Sequence, residues 1–210
     1  MRPVQRGPEP PDLTAFKAAA NAEWTPRYRD LDKRPVRAAL AREQGYLCGY
    51  CGSRIGQREG DCHIEHVEAQ STTPSRELDY TNMLASCQGS EAKPQVPEHC
   101  GQARGNAPLP VTPFLADCGE YFSYGSDGSI GATSDPAKNE AADRTLRILR
   151  LGVDRLKSAR AAAIEGAIEG LDGLSSDEWR VEAGMYDVPD RDGRLAPFCF
   201  AIQQVLSAYA

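Results

Sequence analysis

The sequence has no apolar run long enough to cross a bilayer, which takes about 20 consecutive residues. The segment Met1 to Pro11 is polar and rich in proline, and it lacks the apolar centre of a signal peptide. Hydrophobic residues make up 40% of the 210 residues and charged residues 26%, a balance typical of folded chains. These observations exclude a membrane-spanning protein, and we expect a cytoplasmic bacterial one.

The chain also lacks the excess of positive charge that nucleic-acid-binding proteins commonly carry. Its net charge is −6, with 24 Lys and Arg against 30 Asp and Glu. The charge is uneven, because residues 1–60 and 143–160 each carry a net +4, whereas residues 61–142 carry −8. Two explanations stay open: ordinary solvated faces, or two phosphate-contacting surfaces on either side of an acidic, cation-binding centre.

The seven cysteines indicate a metal site rather than disulfides. Their number is odd, and disulfides rarely persist in a reducing cytosol. Cys48 and Cys51 have the spacing of a two-thiolate zinc knuckle, with a redox Cys-x-x-Cys pair as the alternative. The second pair must come from the other cysteines or the histidines, and we predict Cys87 and Cys100. The remaining three are expected to be core residues: Cys62, Cys118 and Cys199.

A candidate reactive site follows the knuckle on a predicted strand that contains His63, Glu65 and His66. Phosphodiester hydrolysis needs a base for water and a cation at the phosphate. Glu65 is a hard oxygen ligand suited to Mg²⁺ or Mn²⁺, and His66 is suited to be the base. The amide of Asn82 would hold the loop that orients His66 or accept the other N–H of its ring. The alternative is that His66 is simply a buried, hydrogen-bonded histidine.

The order of these residues resembles the HNH endonuclease superfamily, which has a zinc-stapled ββα-metal core. The stretches that carry the resemblance are Cys48-x-x-Cys51, Ile64-Glu65-His66, Tyr80-Thr81-Asn82-Met83-Leu84 and Ser86-Cys87. Other stretches resemble the HNH proteins of Septu-type (PtuB-like) and retron-associated antiphage systems. They are Met1-Arg2-Pro3, Gly7-Pro8-Glu9-Pro10, Glu43 to Cys48, Tyr124 to Ile130 and Leu149 to Leu156. The resemblance covers most of the chain and is weakest after Leu171.

The resemblance implies a role for each motif residue. The family's base histidine corresponds to His66, its acidic metal ligand to Glu65 and its motif asparagine to Asn82. Arg104 stands where a Lys or Arg often closes the motif, available to a phosphate. The family's structural zinc thiolates correspond to Cys48, Cys51, Cys87 and Cys100.

The sequence departs from the family pattern at two positions. Ala69 stands where a proline is frequent. Gly101 occupies the position after the last cysteine, where the family often has a His or Asn that completes the site. We predict that His99 takes over as the second ligand of the catalytic cation, with His63 as the other candidate. The alternatives for His99 are a zinc ligand or an exposed loop histidine.

The expected fold is α+β, a zinc-stapled ββα-metal core embedded in a mostly helical single domain. The predicted segments are an N-terminal arm with helices (1–46), the core (47–110), and a hairpin with a helical C-terminal region that docks a partner (111–210). The patterns predict a strand over Cys62–Val67, a hairpin within Gly119–Ala132, and loops at 88–98 and 172–194. They predict helices over Leu13–Trp24, Arg34–Tyr46 with Gly45 marking its end, Asn139–Leu171 in which Gly152, Gly166 and Gly170 allow a break, and Phe198–Tyr209.

The expected function is metal-dependent cleavage of nucleic-acid phosphodiester bonds, with DNA as the favoured substrate. The resemblance implies an ABC-type ATPase partner and a role in antiphage defence. Two alternatives remain open: an RNase of the same architecture, and a zinc-containing binding module that has lost its chemistry. Gly101 is the residue that favours the binding module.

Overall fold

The computed structural model describes residues 1–87, 97–171 and 173–209, so most of the predicted loop at 88–98 lies outside the described residues. The chain forms a mixed helix and sheet domain with two small antiparallel sheets. The strands are β1 (Cys62–His66), β2 (Met83–Cys87), β3 (Phe122–Tyr124) and β4 (Ile130–Ala132). The helices are α1 (Pro11–Ala18), α2 (Lys33–Glu43), α3 (Cys100–Arg104), α4 (Pro136–Leu149), α5 (Asp154–Ile168), α6 (Ser176–Met185) and α7 (Cys199–Ser207).

The β1–β2 hairpin is the centre of the region that holds the candidate site residues. Its register pairs Cys62 with Cys87 at one end and His66 with Met83 at the other. Helix α2 packs against both strands. The Gln44 side chain accepts from the Ala85 N–H and donates to the Ala85 carbonyl, each at 2.8 Å. This side chain therefore satisfies backbone groups on β2 as a neighbouring strand would.

Two predicted helices are shorter than expected, because side chains and backbone angles end them early. Helix α1 ends at Ala18 rather than Trp24. The Asn21 side chain accepts hydrogen bonds from the backbone N–H groups of Glu23 and Trp24, which holds the chain in a turn instead. Helix α2 ends at Glu43, because Gly45 and Tyr46 adopt positive φ angles of 60° and 61°.

The long helical stretch breaks at Gly152, the first of the three glycines that allow a break. Helix α4 ends at Leu149, Arg150 adopts a left-handed conformation, and α5 begins at Asp154. The β3–β4 hairpin is also confirmed, and its turn packs on α5 at Gly128. A Cβ atom at Gly128 would lie 2.1 Å from the Lys157 carbonyl oxygen, so only glycine fits there.

The prediction of a loop at 172–194 is wrong, because α6 lies within that range. Ser175 and Glu178 form a capping box, in which each side chain accepts from the other residue's backbone N–H. Helix α6 then packs against α7, with Ala183 buried in the contact. The Ser-x-x-Glu spacing is a sequence signal for the start of this helix. The prediction of a loop followed instead from the polar composition of the segment.

The main hydrophobic core draws side chains from all three predicted segments, from Met1 through Leu84 to Leu156. A smaller cluster joins α5, α6 and α7 around Ile164 and Ile202. Among the helices of the described residues, none combines the length and apolarity that spanning a membrane requires.

Candidate metal centre and reactive site

Four sulfur atoms converge at one end of the β1–β2 hairpin. They belong to Cys48, Cys51, Cys87 and Cys100, and all lie within 4.8 Å of one another. Four thiolates bound to one Zn²⁺ at about 2.3 Å lie about 3.8 Å apart. The Sγ atoms of Cys51 and Cys87 are separated by 3.9 Å. The arrangement is therefore compatible with a structural zinc site, and the choice of Cys87 and Cys100 as the second pair is confirmed as a spatial grouping.

Local backbone structure brings the first two sulfurs together. The Gly52 N–H donates to the Cys48 carbonyl at 3.0 Å and the Ser53 N–H lies 3.5 Å from the Cys51 sulfur, which closes the knuckle. Gly52 has a φ of 78°, a conformation that glycine adopts without strain. The Gly49 N–H donates to the Ala85 carbonyl at 3.1 Å and so docks the knuckle on β2.

The second pair comes from β2 and α3. Cys87 is the last residue of β2, and Cys100 is the first residue of α3. Cys100 has a φ of 57°, a left-handed conformation that costs a non-glycine residue about 1 to 3 kcal/mol. This strain is consistent with a backbone that is held in place to present a sulfur atom.

His99 lies against the cysteines rather than beside Glu65. Its Nδ1 is 3.2 Å from the Cys100 sulfur and 3.8 Å from the Cys87 sulfur. Burial lowers the pKa of His99, so its ring is neutral and has one N–H to donate. Burial also raises the pKa of the Cys100 thiol well above its ordinary value in the absence of a cation. An N–H donated to that sulfur would stabilise its thiolate form.

Glu65 is buried and has three partners on the face of β1 that meets α3. Its Oε1 accepts from Arg104 and, at 3.3 Å, from the Tyr50 hydroxyl, whereas its Oε2 lies 3.2 Å from the His63 Nε2. Burial alone would raise the pKa of Glu65. The hydrogen bond with His63 and the charge of Arg104 outweigh burial and hold that pKa below its usual value. Glu65 is therefore an ionised carboxylate at neutral pH.

Gly101 leaves the space in which Glu65 and His63 meet. A Cβ atom at Gly101 would lie 2.4 Å from the His63 Nε2 and 2.6 Å from the Glu65 Oε2. Those two atoms are 3.2 Å apart, and neighbouring ligands of an octahedral Mg²⁺ with bonds of about 2.1 Å lie about 3 Å apart. The two side chains therefore fit a shared divalent cation. His63 Nδ1 is buried without a hydrogen-bond partner in the described part of the chain.

His66 is held on the opposite face of β1. Its Nε2 lies 3.0 Å from the Glu77 carbonyl oxygen, which can only accept, so the proton of the neutral ring is on Nε2. Its Nδ1 then carries the lone pair and faces the Gln70 amide at 3.1 Å. The Tyr28 ring meets the His66 ring edge-on, with centroids 4.6 Å apart. Burial lowers the pKa of His66, so this histidine is neutral at pH 7.

Asn82 fixes the loop that follows His66. Its Oδ1 accepts from the Glu68 N–H at 2.7 Å, and its Nδ2 donates to the Glu68 carbonyl at 3.0 Å. The Asn82 carbonyl also accepts from the Val67 N–H at 2.9 Å. Of the two roles predicted for the Asn82 amide, its contacts match the one that holds this loop.

The structure differs from the prediction for Arg104. Its side chain is only 1% exposed and pairs with Glu65. The guanidinium also donates to the carbonyl oxygens of His66 at 2.8 Å, of Val67, and of Ala107 at 2.8 Å. All of its nitrogens are therefore committed inside the protein, and Arg104 is not available to a phosphate. Helix α3 packs its last turn against β1, and the sequence pattern did not reveal this contact.

Sequence reasoning missed three residues that position the site. Tyr28 contacts His66 from 38 positions earlier in the chain, and no local pattern connects the two. Gln44 and Gln70 contact the hairpin through single side-chain amides. A lone glutamine has no spacing signal, so only the tertiary structure identifies it.

A scan of protein-family models and a search of curated proteins both found no match to this chain.

Proposed function

We propose that this chain is a metal-dependent HNH-type nuclease that hydrolyses phosphodiester bonds in nucleic acid. The proposal rests on two neighbouring side chains at the end of β1. There, the Glu65 carboxylate has a histidine neighbour, and the next residue, His66, is a neutral histidine whose ring is oriented by the Glu77 carbonyl. The two-stranded hairpin followed by a short helix, with a four-cysteine cluster at one end, agrees with a ββα-metal core.

His66 is the proposed general base. The Glu77 carbonyl holds the N–H at Nε2, which leaves the lone pair of Nδ1 to accept a proton from the attacking water. The lowered pKa keeps the ring in its proton-accepting form at neutral pH. The Gln70 Nε2 lies 3.1 Å from Nδ1 and 3.2 Å from Nε2, so the Gln70 amide must move when water approaches Nδ1.

Glu65 and His63 are the proposed ligands of the catalytic Mg²⁺ or Mn²⁺. When bound, the cation would stabilise negative charge on the scissile phosphate and the leaving oxygen. His63 takes this place rather than His99, because His63 contacts Glu65 whereas His99 contacts the cysteines. Gly101 then has a positive role, since its missing side chain leaves room for His63. The cysteine cluster holds a structural Zn²⁺ that maintains the scaffold.

The proposal extends to the biological setting implied by the HNH resemblance. DNA is the favoured substrate, with RNA as the second, and the setting is antiphage defence with an ABC-type ATPase partner. The net charge of −6 supports a partner, because a protein with this charge gains from a basic surface supplied by another chain.

The test is cleavage of plasmid DNA and of structured RNA with Mg²⁺ or Mn²⁺, comparing wild type with His66→Ala. Both proteins are assayed with and without the proposed ABC-type ATPase partner. Loss of the general base is expected to slow cleavage by about 10² to 10⁴-fold. Zinc content and melting temperature serve as controls for folding. Equal cleavage by a folded His66→Ala protein would contradict the assignment of the base, and no cleavage by wild type in any condition would contradict the nuclease.

A zinc-containing binding module is the second candidate function. It is favoured by the ion pair between Glu65 and Arg104, because a carboxylate neutralised by arginine binds cations less strongly. Binding of Mn²⁺ measured by electron paramagnetic resonance separates the two candidates. The nuclease requires binding by wild type that weakens in Glu65→Gln, whereas the binding module predicts no site for Mn²⁺.

A further inference from the structure

We propose that Lys33 and Arg37, two cations on one face of α2, bind a backbone phosphate of the nucleic-acid strand that lies beside His66. The proposal rests on the nuclease function proposed above. It gives the site the phosphate contact that the buried Arg104 does not provide.

Arg37 is a buried charge without a partner. Its residue is 7% exposed, and its Nε is enclosed without a hydrogen-bond partner. Within residues 1–87, 97–171 and 173–209, no hydrogen bond or ion pair involves its guanidinium. The two Nη atoms are not fully enclosed, so the donor end of the group reaches the surface. The enclosed Nε is costly without a partner, and the accessible Nη atoms can bind an anion from solvent, so we infer that the missing partner is a bound anion.

The other buried arginines show what a satisfied guanidinium looks like in this protein. Arg104 pairs with Glu65 and three carbonyl oxygens. Arg160 donates to the carbonyl oxygens of Gly128 at 2.8 Å and Leu151 at 3.1 Å. Arg37 is buried to a comparable degree but has none of these contacts among the described residues. Burial by itself therefore does not account for its unpaired guanidinium.

Lys33 places a second positive charge on the same side of the helix, one turn before Arg37. Its ammonium lies 4.8 Å from the centre of the Tyr28 ring, and the Tyr28 ring contacts the His66 ring with centroids 4.6 Å apart. Burial raises the pKa of Tyr28 to about 12, and the nearby charge of Arg37 acts against that rise. Tyr28 therefore links Lys33 to the proposed general base by direct contact, and the charge of Arg37 acts on the same ring.

The neighbouring acids do not neutralise this pair. Asp32 is bound to Arg34 on the exposed side of the helix, with the Arg34 Nη2 2.7 Å from its Oδ2. Glu77 is bound to Arg27 at 2.5 Å. Two like charges at an i, i+4 spacing repel each other, and an anion between them would remove that cost.

The chemistry of the two groups selects phosphate. A guanidinium presents a planar fork that matches two phosphate oxygens, and an ammonium adds a point charge. Because Tyr28 contacts both Lys33 and His66, the phosphate would belong to a nucleotide close to the scissile bond. The contact also gives an acidic protein a local cationic surface where residues 1–60 carry a net +4.

The test measures binding in a His66→Ala background, so that the nucleic acid stays intact. Fluorescently labelled duplex DNA, single-stranded DNA and single-stranded RNA are titrated at several salt concentrations, with Arg37→Met or Arg34→Met added. We expect Arg37→Met to weaken binding by about tenfold or more and to reduce the salt slope by about 0.9 on duplex DNA and about 0.7 on single strands. Arg34→Met is the matched control on the same helix and should leave both values unchanged, since Arg34 is exposed and paired.

Melting temperature separates a binding role from a structural one. Removing an unpaired buried charge should leave the melting temperature of Arg37→Met unchanged or raised. A lowered melting temperature with unchanged affinity would show that Arg37 is structural and would overturn the inference alone. Inorganic phosphate that stabilises wild type as strongly as an oligonucleotide would overturn the nucleic-acid assignment of the pair. No binding of any nucleic acid by the His66→Ala protein would contradict the proposed nuclease as well.

Discussion

The two ends of the β1–β2 hairpin hold groups of opposite character. At the end where Cys62 pairs with Cys87, four sulfur atoms of one kind converge within 4.8 Å. From His63, which is next to that end, to His66, which pairs with Met83 at the other, a carboxylate, two imidazoles and a guanidinium contact different partners on two faces of the strand. One short hairpin thus supports a uniform ligand set and a mixed one.

The two sets of residues have different expected roles, one in stability and the other in the proposed reaction. Four thiolates fill every position of a tetrahedral zinc ion and leave none for a substrate, which is typical of a structural site. The mixed set includes a buried atom without a hydrogen-bond partner among the described residues, the Nδ1 of the half-buried His63. Buried polar atoms without partners are rare in folded proteins and often mark functional positions. We therefore expect changes at the two ends to have separable effects.

The largest effect is expected from Cys51→Ser, which removes one of the four thiolates. Structural zinc contributes about 10 to 16 kcal/mol in small domains, comparable with the whole stability of a typical protein. We expect one zinc per wild-type chain by elemental analysis, and loss of both the zinc and the cooperative thermal transition in the variant. Cys62→Ser is the control, because Cys62 lies outside the cluster and its sulfur donates to the Gly56 carbonyl, as a hydroxyl can. A Cys51→Ser protein that melts like wild type would contradict the structural role of the cluster.

Glu65→Gln tests the other end and should cost less stability. The change leaves the buried Arg104 without its counter-charge, and breaking a buried ion pair costs about 3 kcal/mol or more. Zinc content should stay at the wild-type value, whereas binding of Mn²⁺ should be weakened. Chemical denaturation and elemental analysis measure the two ends separately. Loss of zinc from a folded Glu65→Gln protein would contradict separable effects, because it would show that the zinc site depends on Glu65.

Gly101→Ala tests the space between α3 and β1. The added methyl group would lie within 2.6 Å of both the His63 Nε2 and the Glu65 Oε2, so one of these side chains must move. Overpacking of this kind costs about 1 to 3 kcal/mol. We expect Gly101→Ala to bind Mn²⁺ more weakly than wild type. The double variant His63→Ala with Gly101→His places an imidazole on α3 instead of β1, and it should bind Mn²⁺ more tightly than Gly101→Ala. If Gly101→Ala binds Mn²⁺ like wild type, His63 and Glu65 do not share the cation.

The smallest effect is expected from pH. Burial lowers the pKa of His66 below 6.5, so the neutral base persists until the pH falls below that value. Cleavage should therefore stay constant from about pH 8 down to pH 6.5 and then fall about tenfold per unit below the His66 pKa, as the ring gains a proton. Single-turnover rates measure this profile, with circular dichroism at each pH as the control for folding. A midpoint above 6.5 would contradict a buried, neutral His66 as the base.

Much of the site was predictable from short-range patterns. The Cys-x-x-Cys spacing indicates a zinc knuckle because the turn itself brings two sulfur atoms together. The glycine-containing turn between Tyr124 and Ile130 predicts the β3–β4 hairpin for the same local reason. The pattern over Cys62–Val67 predicts one strand, and the structure forms β1 there and pairs it with β2.

Other features depended on contacts between distant segments. Arg104 became an internal partner of Glu65, because α3 packs its last turn against β1. His63 rather than His99 lies beside Glu65, because the missing side chain of Gly101 leaves space there. Helix α6 was missed although Ser175 and Glu178 carry a capping signal, since its few apolar side chains gain stability only by packing on α7.

Residue types and short spacings account for the reactive groups of this protein: a set of thiols, an acid next to a histidine, and turns at which the chain reverses. Such features depend on residue type and on spacings of a few positions, for which the backbone has few conformations. Only the tertiary structure decided which groups meet and which are enclosed. Distances between side chains such as Tyr28 and His66, or Gln44 and Ala85, follow from how α2 and its preceding turn pack on the hairpin. Packing of that kind depends on the whole core at once, and no local pattern encodes it.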